Sequence, residues 1–78
     1  MSKFYFDFHD DNGTTIDVDG EEFANVEAAK REAWAALGDA GREYARRYAE
    51  GRLAIVVRDG RRLILEVSAT FEARSIKT

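Results

Sequence analysis

The residues best suited to chemistry lie close together in Asp7, His9, Asp10 and Asp11, where a histidine among carboxylates is the obvious place to look for a divalent cation or an acid–base pair. A metal site needs those side chains to converge. In an extended strand alternate residues point to opposite faces, so Asp7 and His9 share one face and Asp10 turns to the other. The calcium-loop spacing also fails, because Asn12 stands where its glycine belongs and no glutamate closes the loop. His9 is the only histidine and there is no cysteine, which removes thiolate ligands, thiol nucleophiles and disulfide staples. Ser2, Ser68 and Ser75 sit in no nucleophile-elbow context. A second acidic stretch, Asp17 to Glu22 around Gly20, reads as a polar bend. Carboxylates working as acid and base need an enclosed cleft, which a single helix on a small sheet rarely offers. The reading is therefore not an enzyme, with no metal and no cofactor.

Nine arginines and three tyrosines raise nucleic-acid binding as an alternative. The candidate contacts are Arg42, Arg46, Arg47 and Arg52, with Tyr44 and Tyr48 nearby for stacking. Against it, the sheet face expected to be open carries Asp7, Asp17 and Glu66, which repel phosphate, and only one aromatic, Tyr5. Charge is uneven along the chain. Residues 1–27 hold one lysine against eight carboxylates, and the remainder is net basic, for a total of −3. Folding the chain places Asp10 and Asp11 near the arginines at the helix end and Asp19, Glu21 and Glu22 near Arg58, Arg61 and Arg62, so the two signs are expected to compensate.

The elements that position these residues follow from hydrophobic periodicity. The chain has 78 residues, enough for one domain that buries roughly 60–65% of its unfolded surface. With 45% apolar and 35% charged residues it is ordinary for a globular domain. The longest apolar run, Leu53 to Val57, is far short of the ~20 residues of a membrane span, and no secretory signal is evident at Met1 to Phe8. A cytoplasmic location is the expectation.

Phe4, Phe6 and Phe8 alternate, as a half-buried strand requires. Pairing Phe8 with Ile16 and Phe6 with Val18 keeps the apolar residues on one face and calls for a three-residue loop of Asp11, Asn12 and Gly13. In the second hairpin, pairing Val57 with Leu63, Ile55 with Leu65 and Leu53 with Val67 needs an odd-length connection or a bulge rather than a plain two-residue turn at Asp59-Gly60. Between the hairpins Asn25 is a helix cap, and Val26, Ala29, Ala33, Leu37, Ala40, Tyr44 and Tyr48 form one apolar stripe. A helix from Val26 to Ala49 would outrun seven-residue strands, so it either breaks near Gly38 to Gly41 or projects beyond the sheet with Tyr44 and Tyr48 exposed. Trp34 lies just off the stripe, either on a flank packed against the sheet edge or as a partner-facing anchor. The expected fold is α+β, ββαββ, a four-stranded antiparallel sheet of order 2-1-3-4 with one helix packed on one face. The other face shows a small apolar patch of Tyr5, Val56 and Ile64.

Phe4-Tyr5-Phe6-Asp7, the Asp11-Asn12-Gly13 turn, Asp19-Gly20-Glu21-Glu22 and the helix start Val26-Glu27-Ala28-Ala29-Lys30-Arg31-Glu32-Ala33 resemble a family of short proteobacterial proteins of the rhizobial type, a domain of unknown function. The resemblance spans nearly the whole chain and implies a fold without carrying any site residue across. A fainter likeness, to small antitoxin domains of the HicB type, implies a regulatory role; those often carry a separate DNA-binding segment, and none is expected here. The expectation is a non-enzymatic protein-interaction module, with itself (as a homodimer) or another protein as partner. Its candidate surface is Tyr5, Val56, Ile64, Tyr44 and Tyr48. Weak nucleic-acid binding or an antitoxin-like role is the alternative.

Overall fold

Phe4, Phe6 and Phe8 do turn inward together, from a nine-residue strand β1 (Ser2–Asp10) that forms one centre of the sheet. The computed structural model describes residues 1–47 and 50–77. Two three-residue strands, β2 (Gly13–Thr15) and β3 (Glu21–Phe23), pair with the two ends of β1, and helix α1 (Val26–Arg47) crosses to β4 (Gly51–Asp59) and β5 (Arg62–Phe71). All pairings are antiparallel. The main path is β2-β1-β4-β5, the order read from the sequence, with β3 added beside β1 as a fifth strand. The fold is α+β, with the helix on one face and Phe4, Leu37, Tyr44, Leu53, Ile55, Val57 and Val67 at the core.

The first hairpin departs from expectation. Asp10 pairs with Gly13 and Phe8 with Thr15, so the loop is Asp11-Asn12 and the chain leaves the sheet after Thr15. The Asp10 carboxylate accepts from the Asn12 and Gly13 N–H groups, which fixes that tight turn. Ile16 and Val18, expected in the core, are therefore exposed, Val18 at 81%. The alternation that placed them there is overridden by Asp17, whose carboxylate takes the hydrogen bond from Phe6 N–H that a strand partner would have taken.

In the second hairpin the bulge is present but the register lies two residues further along. Val57 faces Leu65, Ile55 faces Val67 and Leu53 faces Ala69, with the irregularity at Val57/Arg58 and a two-residue turn, Gly60-Arg61, between Asp59 and Arg62. The bulge inserts Ile64 and swings Leu63 to Arg58's side of the sheet, so Leu63 is 70% exposed rather than buried.

Asn25 caps the helix, its side-chain oxygen accepting from Ala28 N–H at 2.9 Å. The helix runs unbroken through Gly38 and Gly41. At about 1.5 Å per residue its 22 residues span ~33 Å, which the ten residues of β5 match at ~3.4 Å each. The overhang expected from shorter strands does not arise. Gly41 has a packing role, because a Cβ there would sit 3.2 Å from the Phe71 ring, whereas Gly38 faces open space. No described helix is long and apolar enough to cross a membrane.

Candidate functional site

Tyr5, Asp7 and His9 share the face opposite the helix, as alternation demands, yet the three do different things. Asp7 is 6% exposed and is the buried charge of this domain's described residues. Its Oδ2 accepts from Arg58 Nε at 2.7 Å and its Oδ1 from Asp17 N–H at 3.0 Å. Arg58 also donates to the carbonyls of Asp17 and Gly60, both at 2.7 Å, and lies 4.5 Å from the centre of the Tyr5 ring. Asp17 closes the network: one carboxylate oxygen takes the Asp19 and Gly20 N–H groups, the other takes Phe6 N–H. A segment that failed to become a strand is thus strapped across the sheet face by two carboxylates and one guanidinium.

Burial pushes the Asp7 carboxyl up, but the hydrogen bond from Arg58, the Asp17 N–H and the guanidinium charge outweigh it and leave the group below the usual aspartate value. Asp17 is likewise raised by burial and lowered further by the Gly20, Phe6 and Asp19 N–H groups and by Arg58, again with a net lowering. The Asp7 hydrogen bond leads the influences that raise Arg58 against its own desolvation. Because both carboxyls are depressed in the folded state, the stability they supply is fully present above the unfolded value near pH 4 and drains away as pH falls through the lower folded values. Urea midpoints should hold level from pH 7 to about pH 5 and fall steeply below about pH 4, and Asp17→Asn should flatten that acid limb. An unchanged acid limb in the variant would assign the loss to other carboxyls.

These groups satisfy one another and tie residues 17–20 to the sheet face. His9 has Nδ1 2.9 Å from Thr14 Oγ1. Among the described residues no group of three or more His, Cys, Asp or Glu side chains is placed to hold a metal ion.

The candidate surface residues differ in their surroundings. The Tyr5 ring is covered by Arg58 and by Gly20, where a Cβ would meet the ring at 2.8 Å. Val56 and Ile64 are half-buried, Ile64 at the bulge. Tyr44, expected at a surface, is buried: its ring stacks on Phe71 at 5.7 Å, and its hydroxyl donates to Asp11 Oδ2 or to the Glu50 carbonyl, at 2.8 and 3.0 Å. Tyr48 lies outside the described residues. Of the four candidate arginines, Arg46 and Arg47 approach Glu43, and Arg52 pairs with Glu66 at 2.7 Å. Arg42 stands elsewhere, at the margin of a groove.

That groove was not anticipated as a site. It encloses ≈ 360 Å³ between α1 and β5, walled by Trp34, Leu37, Gly38, Gly41, Phe71 and Arg42, and is almost wholly apolar. Trp34, the one tryptophan, is 52% exposed on its rim. The groove runs beside β5, whose far edge pairs with no other described strand. The available signal was two glycines three residues apart, Gly38 and Gly41, close to Trp34, which leave the helix flank without side-chain bulk.

One helix on an antiparallel five-stranded sheet, with a satisfied polar strap on one face and an apolar groove along one edge, defines a small α+β domain. The family model described as Domain of unknown function (DUF6894) matches residues 3–70, and the chain belongs to that family. No curated protein and no solved structure matches it.

Proposed function

We propose that this domain is a non-enzymatic protein-interaction module that works through the β5 edge and the adjoining α1 groove, in the cytoplasm of a bacterium, with self-association as a homodimer one form of that activity. The observation that carries the reading is the unequal treatment of the two sheet edges. On one side β2 and β3 are three residues each and are separated by a loop, a short and broken edge of the kind that resists strand addition. On the other, β5 runs ten residues with no proline and no lysine, its one internal charge, Glu66, is tied to Arg52, and an exposed tryptophan stands beside it. Edge strands and rim aromatics are what protein partners use for backbone pairing and anchoring.

A photo-crosslinking amino acid at position 34 should give discrete protein adducts in the native cell, while the same group at position 32, on the opposite side of the helix, should not. Adducts equal at both positions, or at neither, would overturn the reading. The alternative, weak nucleic-acid binding through Arg42, Arg46, Arg47 and Arg52, predicts a salt-sensitive mobility shift with single-stranded RNA.

A further inference from the structure

We infer that the groove between α1 and β5 is a binding site for a small amphipathic carboxylate, a medium-length acyl chain whose acid group pairs with Arg42. The inference goes beyond the interaction-module reading and does not rest on it.

The walls set the apolar half of the ligand. The groove encloses ≈ 360 Å³, within the range of ~300–1,000 Å³ typical of small-molecule sites, and Leu37, Ala69 and Phe71 line it with the half-exposed Trp34 at the rim. Trp34 and Arg42 are eight residues apart on α1, so about 12 Å of helix separates the aromatic rim from the cation. An extended acyl chain lying along the helix occupies that length.

Charge sets the other half. Arg42 is the one charged residue among those lining the groove, and no carboxylate lines it. The cleft between Phe8 and Ala40 differs, since Asp10 and Glu43 line it together with Arg47. Arg46 and Arg47 approach Glu43, whereas Arg42 makes no ion pair among the described residues. An arginine whose stem runs along an apolar wall, with no carboxylate of its own, is placed to take one from a ligand.

Gly38 points the same way independently. A glycine inside a helix costs about 1 kcal/mol relative to alanine. Gly41 has a packing reason, because a Cβ there would sit 3.2 Å from the Phe71 ring, but a Cβ at Gly38 would meet nothing within 4 Å. No contact within the fold requires that glycine. It lines the groove, and its missing side chain keeps the floor open.

Titration of the purified chain with decanoate, below its micelle concentration, is read by the emission of the one tryptophan at the rim. The expected result is a saturable blue shift. Arg42→Gln should weaken decanoate about fivefold and leave decanol, the same chain without the charge, within about twofold of its wild-type affinity. Gly38→Leu fills the floor and should weaken both ligands about tenfold or more, while its thermal midpoint stays level or rises because leucine favours the helix over glycine. That midpoint separates a blocked site from a damaged fold. Emission unmoved by decanoate, an Arg42→Gln chain that binds decanoate as wild type does, or a folded Gly38→Leu chain that still binds it overturns the site. Emission that shifts with protein concentration alone would give the groove to a second copy of the chain and overturn it too. Crosslinking from position 34 reports on the partner reading separately, so either can fail while the other stands.

Discussion

Gly51→Ala is expected to destabilise the domain by about 3 kcal/mol, enough to unfold much of a marginal chain of this size at 37 °C. Gly51 opens β4 with φ +148, a conformation that other residues rarely adopt. A Cβ at that position would fall on the Tyr44 hydroxyl and beside Asp11 Oδ2. Neither can yield easily, since Tyr44 is stacked on Phe71 and its hydroxyl donates to Asp11 or to the Glu50 carbonyl. Tyr44→Phe alone should cost about 1–2 kcal/mol through lost hydrogen bonds. In the Gly51→Ala/Tyr44→Phe double variant the methyl no longer meets a hydroxyl, so the combined cost should fall clearly below the sum of the two. Urea melts of the four proteins measure this coupling, and strict additivity would show that the methyl and the hydroxyl do not compete for one space.

Asp7→Ala is expected to cost about 2 kcal/mol, because it removes the charged acceptor of a part-buried ion pair and leaves the Asp17 N–H without its partner. The loss goes beyond a single contact. Asp7 accepts from both Arg58 and the Asp17 N–H, and Asp17 in turn satisfies Phe6 N–H, so the strap over residues 16–20 is released with it. Asp7→Asn keeps an oxygen for the Asp17 N–H and should cost less. Hydrogen exchange separates local from global effects: in Asp7→Ala the Phe6 and Asp17 amides should lose protection well before those of β4. Equal acceleration everywhere would mean that the strap is no more than part of the common core.

The inward faces of β1 and β4, the Asn25 cap and the order of the main strands could be read from spacing alone, because burial on one side of a sheet imposes a period of two and on a helix a period near four. The first hairpin could not. Thr14-Thr15-Ile16-Asp17-Val18 has a strand's alternation, and nothing local reveals that a carboxylate will replace the next ladder rung. Tyr44 was misplaced for a related reason. Its position on the stripe is plain, but the hydroxyl's acceptor, Asp11, lies 33 residues away and is visible only once β1 and α1 share an end. The Arg58 network had a faint signal, a lone aspartate between Tyr5 and His9 with an arginine after an otherwise apolar run. The groove had a fainter one, two glycines that shift the helix flank from bulky to bare.

The strap also bears on how the chain is made. Asp7 and Arg58 are 51 residues apart, whereas β4 and β5 meet across a two-residue turn, so loop-closure entropy favours the later hairpin closing first. At about 5–20 residues per second of synthesis, the benzyl rings of β1 wait several seconds for the strand that will cover them. During that interval the carboxylates interleaved with and following those rings, Asp7, Asp10 and Asp11, act as gatekeepers against aggregation of the nascent chain. One aspartate thus guards the strand before folding and fastens it afterwards.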